Sequence, residues 1–275
     1  MISIQEIREN AKRNGVMPRV IEKDYYLGIL LNAISKNTSK GDFVFKGGTA
    51  LRKCYFKNYR FSEDIDFTVT KRQFNKENVL SGLIKSWCIK SNEGFGTTFE
   101  LSKVSMEREI YGQESYKAVV HYRGIEGTGK VNIDFTFYEK VESKPLSKQI
   151  AHAYSDKKDY KSAKILVYSL EEIIAEKLRA ISFIHHYPRN RDLYDICYIA
   201  NNARINKSKL AKLFVLKCKF KGIDPALLKQ VNAAYLSRFK KSWDIQLGHQ
   251  IKDLPDFKKI TKEFVTFAKT VSKSL

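Results

Sequence analysis

At 275 residues the chain is long enough for one large domain or two modest ones, with a sizeable buried core. Its 43% hydrophobic and 12% aromatic content excludes a disordered chain, and no stretch reaches the roughly 20 apolar residues that cross a bilayer. The 50 Lys and Arg against 30 Asp and Glu give a net charge of +20, which excludes an acidic solubilising protein and attracts polyanions such as nucleic acid. From Asn201 to Leu275 there are 17 basic and 5 acidic residues, so a surplus of 12 lies in the last 75. A lysine-rich solvated surface would give the same counts. Cys54, Cys88, Cys197 and Cys218 contain no C-x-x-C pair and read as reduced thiols of a cytoplasmic protein. The opening MISIQEIREN lacks a basic region followed by an apolar core, so no signal peptide is expected.

Ser3 and Glu6 have capping-box spacing, which predicts a helix from about Ile4. Pro18 suits the first turn of a second helix, whose apolar positions include Val20, Ile21, Leu27, Leu30, Leu31 and Ile34. DFVF (Asp42–Phe45) reads as a short strand, Thr49–Phe56 as a helix and DIDFTV (Asp64–Val69) as a second strand. A helix follows around Lys76–Lys90. Between about Thr97 and Tyr138 three segments alternate or run apolar, punctuated by Gly112, Gly124, Gly127 and Gly129. From Ser169 on the pattern is helical. SLEEIIAEKLRAISFIHH and NRDLYDICYIANNA are followed by helices near Lys207–Phe220, Pro225–Lys240 and Asp256–Ser272. The change of pattern near Tyr160–Ser169 predicts an α+β domain over 1–165, with a mixed sheet flanked by helices, and a basic helical bundle over 166–275.

Residues i and i+2 of a strand share a face, so Asp64 and Asp66 are neighbours while Ile65 and Phe67 point into the core. Two parallel carboxylates repel unless a cation lies between them or one is protonated. Hard divalent ions, Mg²⁺ above all or Mn²⁺ in its place, meet that need. Asp134 in VNIDFTF repeats the surroundings of Asp66 and is the candidate third metal ligand; the alternative is an edge-strand Asp facing water. Gly47–Gly48 follow a strand and precede a helix, with Thr49 at the cap position, and this leaves backbone N–H groups for phosphate oxygens. Gly-Gly pairs are common turns; this one gains meaning from the carboxylate strand that follows one helix later.

GGTALRKCY and RFSEDIDF (within Gly47–Phe67) resemble the first signature of the AbiEii/AbiGii-type nucleotidyltransferase toxins, in the superfamily typified by DNA polymerase β. IEKDYYLGILL (Ile21–Leu31) resembles the family's leading helix, EKLRAI (Glu176–Ile181) its lysine helix and RNRDLYDI (Arg189–Ile196) its last motif. The resemblance implies a nucleotidyltransferase fold followed by a helical bundle, and an enzyme that moves a nucleoside monophosphate from a nucleoside triphosphate to an acceptor hydroxyl. It implies Asp64 and Asp66 as catalytic metal ligands. It also implies Lys177 as a catalytic, phosphate-neutralising residue and Asp192 as the essential acid of the last motif. Asp195 and Arg191 are second choices, since Asp195 would equally cap or pair with Arg189 or Arg191. Nucleotide-binding candidates are Gly47, Gly48, Thr49, Arg60, Ser62 and Lys177. Arg60 would orient a phosphate or brace the acidic loop, and Ser62 would bond a phosphate or cap a turn. Which of Asp134, Asp192 and Asp195 is the third essential acid stays open. An ordinary solvated lysine is the alternative for Lys177. Relatives act on the 3′ end of tRNA, which implies an RNA acceptor in keeping with the basic C-terminal quarter, and a cognate antitoxin. The competing reading is a catalytically silent nucleotide sensor that binds RNA. His185–His186 read as a helix end, and Trp87 and Trp243 as packing residues.

Overall fold

The computed structural model describes residues 1–39, 41–108, 114–158, 163–183 and 187–275. Gly112 and the His185–His186 pair lie outside the described residues. The chain forms two compact units, Met1–Val141 with Pro145–Tyr168, and Glu142–Lys144 with Ser169–Leu275.

The first unit opens with α1 (Ile4–Asn14), where the Ser3 hydroxyl accepts the Glu6 N–H at 3.1 Å and Gly15 closes the helix at φ +60°. Only half of a capping box forms, because the Glu6 carboxylate accepts instead from the backbone N–H and hydroxyl of Ser155. Helix α2 (Pro18–Lys36) is buried almost throughout from Ile21 to Ile34. It packs on α4 (Glu77–Phe95) and against strands β2 (Asp64–Val69) and β5 (Gly127–Phe137). The apolar run of α2 therefore reflects a helix surrounded by protein rather than a one-sided amphipathic one.

The mixed sheet has seven strands, in the order β3 (Glu100–Arg108), β4 (Glu114–Gly124), β5, β2, β1 (Phe43–Lys46), β7 (Lys164–Val167), β6 (Leu146–Gln149). β2 runs parallel to β5 and antiparallel to β1, while β1 runs parallel to β7. One face carries the core: Ile65, Phe67, Ile133, Phe135, Ala118 and Val120 are all at 0% exposure, as is Trp87 from α4. Each such side chain contributes on the order of 1.5–3 kcal/mol of burial. Strands β6 and β7 are absent from the sequence expectation. LSKQ in β6 has no alternation, because three of its four residues are exposed.

The second unit holds α5 (Leu170–Ser182), α6 (Asn190–Asn202), α7 (Lys207–Phe220), α8 (Ala233–Ser237), α9 (Trp243–Leu247) and α10 (Phe257–Ser272). α5 packs on α6 and α7, and α10 on α6, α7 and α8. The single helix expected over Pro225–Lys240 is instead a 3₁₀ turn over Pro225–Gln230 followed by α8. Asn232 breaks it, since its side chain accepts the Tyr235 N–H and starts a new helix. The buried Lys217 ammonium pairs with Glu172 and Glu176, each at 2.9 Å, and Glu172 also accepts the N–H groups of Glu142 and Ser143. Trp243 is buried and donates to the Pro255 carbonyl. The four cysteines are free, and among the described residues no helix is long and apolar enough to cross a membrane.

Candidate active site

β1 ends at Lys46 and the chain turns at once into helix α3 (Gly47–Ala50), which continues as a π-helical turn over Leu51–Tyr55. The helix therefore starts two residues earlier than the expected Thr49. Lys46 occupies the cap position and Thr49 lies inside the helix, buried, with its hydroxyl donating to the Asp64 carbonyl. The Thr49 side chain thus braces the carboxylate strand.

Gly47 has φ +78°, and a Cβ there would stand 2.1 Å from Asp66 Oδ2. A Cβ on Gly48 would come within 2.7 Å of Arg60 Nη2 and 2.8 Å of Ser62 Oγ. Both glycines are therefore required by close approach. The same contacts place five of the expected residues together: Gly47, Gly48, Arg60, Ser62 and Asp66. Arg60 is buried and donates to the Phe61 carbonyl at 3.1 Å. Gly47→Ala should lower transferase activity by about 100-fold, the typical result of displacing a reacting group by an ångström. The control Gly82→Ala, in a helix with open space around it, should leave activity unchanged. Initial rates on the two purified variants provide the check.

Strand register assembles the acids. Asp66 lies opposite Asp134 on the parallel strand β5 and opposite Lys46 on β1, while Asp64 lies opposite Asn132. Opposed residues share a face and adjacent strands are about 4.8 Å apart, so Asp64, Asp66 and Asp134 stand on one open face of the sheet. Asn132 Nδ2 donates to Asp64 Oδ1 at 2.8 Å, and Lys117 Nζ stands 3.9 Å from Asp134 Oδ1. Lys46 is buried against Glu139 at 2.8 Å. Tyr138, just before Glu139, has a positive φ of +63°. Asn132 and Glu139 were not among the candidates. The i, i+2 pairing of Asn132 with Asp134 was the available signal for the first of them.

Partial burial pushes the Asp134 carboxyl up to about 6; Lys117 opposes this, and Asp64 and Glu107 add to it. Its ordinary value is 3.8, so the folded protein holds this proton more tightly than the unfolded chain. Stability should fall as pH rises from about 4 to about 6 and stay lower above that. Asp134→Asn should abolish this fall and raise the melting temperature at pH 7, which thermal melts across that pH range would measure.

In the second unit Lys177 Nζ pairs with Asp192 Oδ1 at 2.6 Å and with the fully buried Asp195 Oδ2 at 2.9 Å. Lys177 is thus a fixed, ion-paired group rather than a solvated lysine. Arg189 stands 3.9 Å from Asp192, so the acid facing Arg189 is Asp192 and not Asp195. Arg191 is half-buried.

The sheet, with its Gly-Gly turn and carboxylate strand, defines a nucleotidyltransferase fold. The family model described as "Nucleotidyl transferase AbiEii toxin, Type IV TA system" matches residues 29–269. The chain belongs to this family and is a nucleotidyltransferase. It is similar in fold to MenT4, a nucleotidyltransferase toxin from Mycobacterium tuberculosis H37Rv, with a TM-score of 0.69 at 19% identity over 99% of this chain and 90% of that one. It is also similar to JHP933 from Helicobacter pylori, with a TM-score of 0.57 at 20% identity over 94% of each chain. A search of curated proteins gave no match. Family membership implies a nucleoside triphosphate substrate, usually a divalent metal, and a cognate antitoxin.

The donors on the sheet face fit a hard divalent ion. They are carboxylate oxygens crowded on one face, with Asp66 set in a glycine cradle and Asp134 raised in part by Asp64. Among the described residues no three Asp, Glu, His or Cys side chains converge on one point. The arrangement therefore offers the same-face pair Asp64 and Asp66 first, with Asp134 directed towards Lys117.

Proposed function

We propose that the chain transfers a nucleoside monophosphate from a nucleoside triphosphate to a hydroxyl of an RNA such as tRNA, as the toxin partner of a cognate antitoxin. The observation that carries this reading is the carboxylate face: Asp64, Asp66 and Asp134 in register on neighbouring strands, with Asp66 packed into the Gly47 turn. Asp64 and Asp66 would hold Mg²⁺, which when bound neutralises phosphate charge and lowers the cost of the leaving pyrophosphate. Arg60, Ser62 and the N–H groups of the Gly47–Gly48 turn would orient the triphosphate, so that positioning supplies much of the rate. The acceptor oxygen bonds to the α-phosphorus as the bond to the bridging oxygen breaks. The hydroxyl proton passes to a carboxylate of the site, for which Asp134 is the candidate on this face. Lys177 and Asp192 are proposed as further essential residues through their resemblance to the family's lysine and aspartate motifs.

Purified protein incubated with Mg²⁺, each labelled nucleoside triphosphate in turn and total cellular RNA should label an RNA band. An Asp64→Ala/Asp66→Ala variant should label none. Equal labelling by native and variant protein, or labelled protein with unlabelled RNA, would overturn the proposal.

A further inference from the structure

In the second unit, helix α10 buries Phe257, Phe264 and Val271 among others and packs on α6, α7 and α8. Its exposed residues are Lys258, Lys259, Lys262, Thr266 and Lys269, and Lys273 continues the helical backbone at the C-cap, also exposed. At about 100° per residue the five lysines fall within an arc of roughly 100°, opposite the buried side. Lys258, Lys262, Lys269 and Lys273 share a stripe about 60° wide and, at 1.5 Å per residue, about 22 Å long.

Among the described residues none of the five lysines forms an ion pair. The nearby acids are engaged elsewhere. Glu263, the acid within α10, is half-buried and accepts Asn201 Nδ2 of α6 at 2.9 Å. Asp256 caps the helix, accepting the backbone N–H groups of Lys258 and Lys259 at 2.9 and 3.1 Å. On the helices packed against α10 the acids are Asp192 and Asp195 of α6, both held by Lys177.

Helix stability does not call for this pattern. Lys258 and Lys259 stand in the first turn, where the helix dipole disfavours cations. Lys258 with Lys262, and Lys269 with Lys273, are like charges four residues apart, which repel. A row of cations along one face of a packed helix is instead the footprint of a polyanion-binding surface. A membrane surface fits less well, because an interfacial helix inserts its apolar face into lipid, and that face of α10 is buried in protein.

We propose that the lysine stripe of α10 binds the backbone of the acceptor RNA, contributing affinity without reading sequence. The proposal rests on the RNA-acceptor reading above and deepens it by naming a surface that holds the acceptor. Ammonium groups on flexible stems neutralise successive phosphates as point charges. The stripe supplies binding and no chemistry, so it lowers the KM for RNA rather than raising kcat.

The test measures binding separately from catalysis. Fluorescein-labelled bulk tRNA is titrated by anisotropy, at several salt concentrations, into native protein and the variant Lys258→Gln/Lys262→Gln/Lys269→Gln/Lys273→Gln. Glutamine keeps most of the stem and a similar helix propensity. A control, Lys12→Gln/Arg13→Gln/Lys76→Gln/Lys85→Gln, removes the same charge at exposed positions of the first unit. The stripe variant should bind at least about tenfold more weakly, with a salt slope shallower by about 3, since each phosphate contact is worth about 0.7–0.9 in that slope. The control should lose less than about threefold, and arginine at the four stripe positions should retain native binding. In the transferase assay the stripe variant should show a raised KM for RNA, with kcat at saturating RNA and the KM for nucleotide unchanged. Equal RNA binding by native protein and stripe variant, with RNA still labelled by the native protein, would overturn the stripe and leave the transferase reading standing. An equal loss in the control would also overturn it, reducing the effect to net charge. Neither binding nor labelling of RNA by native protein would remove the acceptor reading and the stripe together. Binding to phosphatidylserine vesicles that the stripe variant loses, with its RNA binding intact, would overturn the proposal in favour of a membrane surface.

Discussion

Asp66→Asn should lower the rate of nucleotidyl transfer by about 10³-fold or more, equivalent to roughly 4 kcal/mol of transition-state stabilisation, while the protein stays folded. The substitution keeps the side-chain volume and leaves the ladder to β1 and β5 intact. What it removes is one negative charge at the point where the Gly47 turn closes on the sheet. A neutral amide is a weak ligand for a hard cation and does not hold its charge against a triphosphate. Stability should hold or rise slightly, because one of three like charges on the face is gone. The comparison of kcat, nucleotide KM and melting temperature between native and variant decides the point. A rate loss under tenfold would make Asp66 a structural acid.

The second large effect is on folding. Asp24→Asn should destabilise the first unit by about 3–5 kcal/mol, the typical cost of breaking a buried ion pair from one side. Asp24 is buried on α2, where its carboxylate meets Arg52 Nε and Lys53 Nζ, each at 2.7 Å, and accepts the Tyr154 hydroxyl at 2.7 Å. Burial by itself would raise this carboxyl, but Arg52 and Lys53 outweigh it and hold the group well below the usual carboxylate range. The stability it supplies is therefore complete above the ordinary value of 3.8 and is lost as pH falls below it. With Asn at this position the lysine, 4% exposed in its side chain, and the largely buried guanidinium lose their anionic partner and keep only the backbone carbonyls of Asp24 and Tyr59. Urea titration should show a lower midpoint with an unchanged slope. Replacing all three groups by apolar residues (Asp24→Leu/Arg52→Met/Lys53→Met) should recover much of the loss, since no buried charge then remains. A loss under 1 kcal/mol in the single variant would mean that water reaches the cluster.

These two predictions divide at the line between what the sequence carried and what it did not. Asp64 and Asp66 were legible as a same-face pair because strand periodicity alone fixes it. The Gly47–Gly48 turn was legible as a strand-to-helix turn with open backbone N–H groups; its close approach to Asp66, Arg60 and Ser62 was not, and Thr49 turned inward to hold the Asp64 carbonyl. The register that sets Asp66 against Asp134 joins strands far apart in the chain, and no local pattern encodes it. Asp24 passed unnoticed for a related reason. A lone Asp on an apolar helix face reveals its role only when Arg52, Lys53 and Tyr154 arrive from elsewhere in the chain. Lys177, Asp192 and Asp195 were nominated by motif resemblance, but that the lysine pairs with both acids follows from the packing of α5 on α6. The short strands β6 and β7 and the break at Asn232 were lost because segments of four or five residues carry too few turns of either period to be read.

The central claim is that the carboxylate face performs nucleotidyl transfer rather than another reaction of a triphosphate. It is tested most directly by following two labels in parallel with native protein, Mg²⁺ and RNA. With the nucleotide labelled at the α-phosphate, the label should appear on RNA. With the same nucleotide labelled at the γ-phosphate, the label should leave as pyrophosphate, with none on RNA or protein. A γ-label on RNA or protein, or its release as free phosphate with no α-label transferred, would contradict the account.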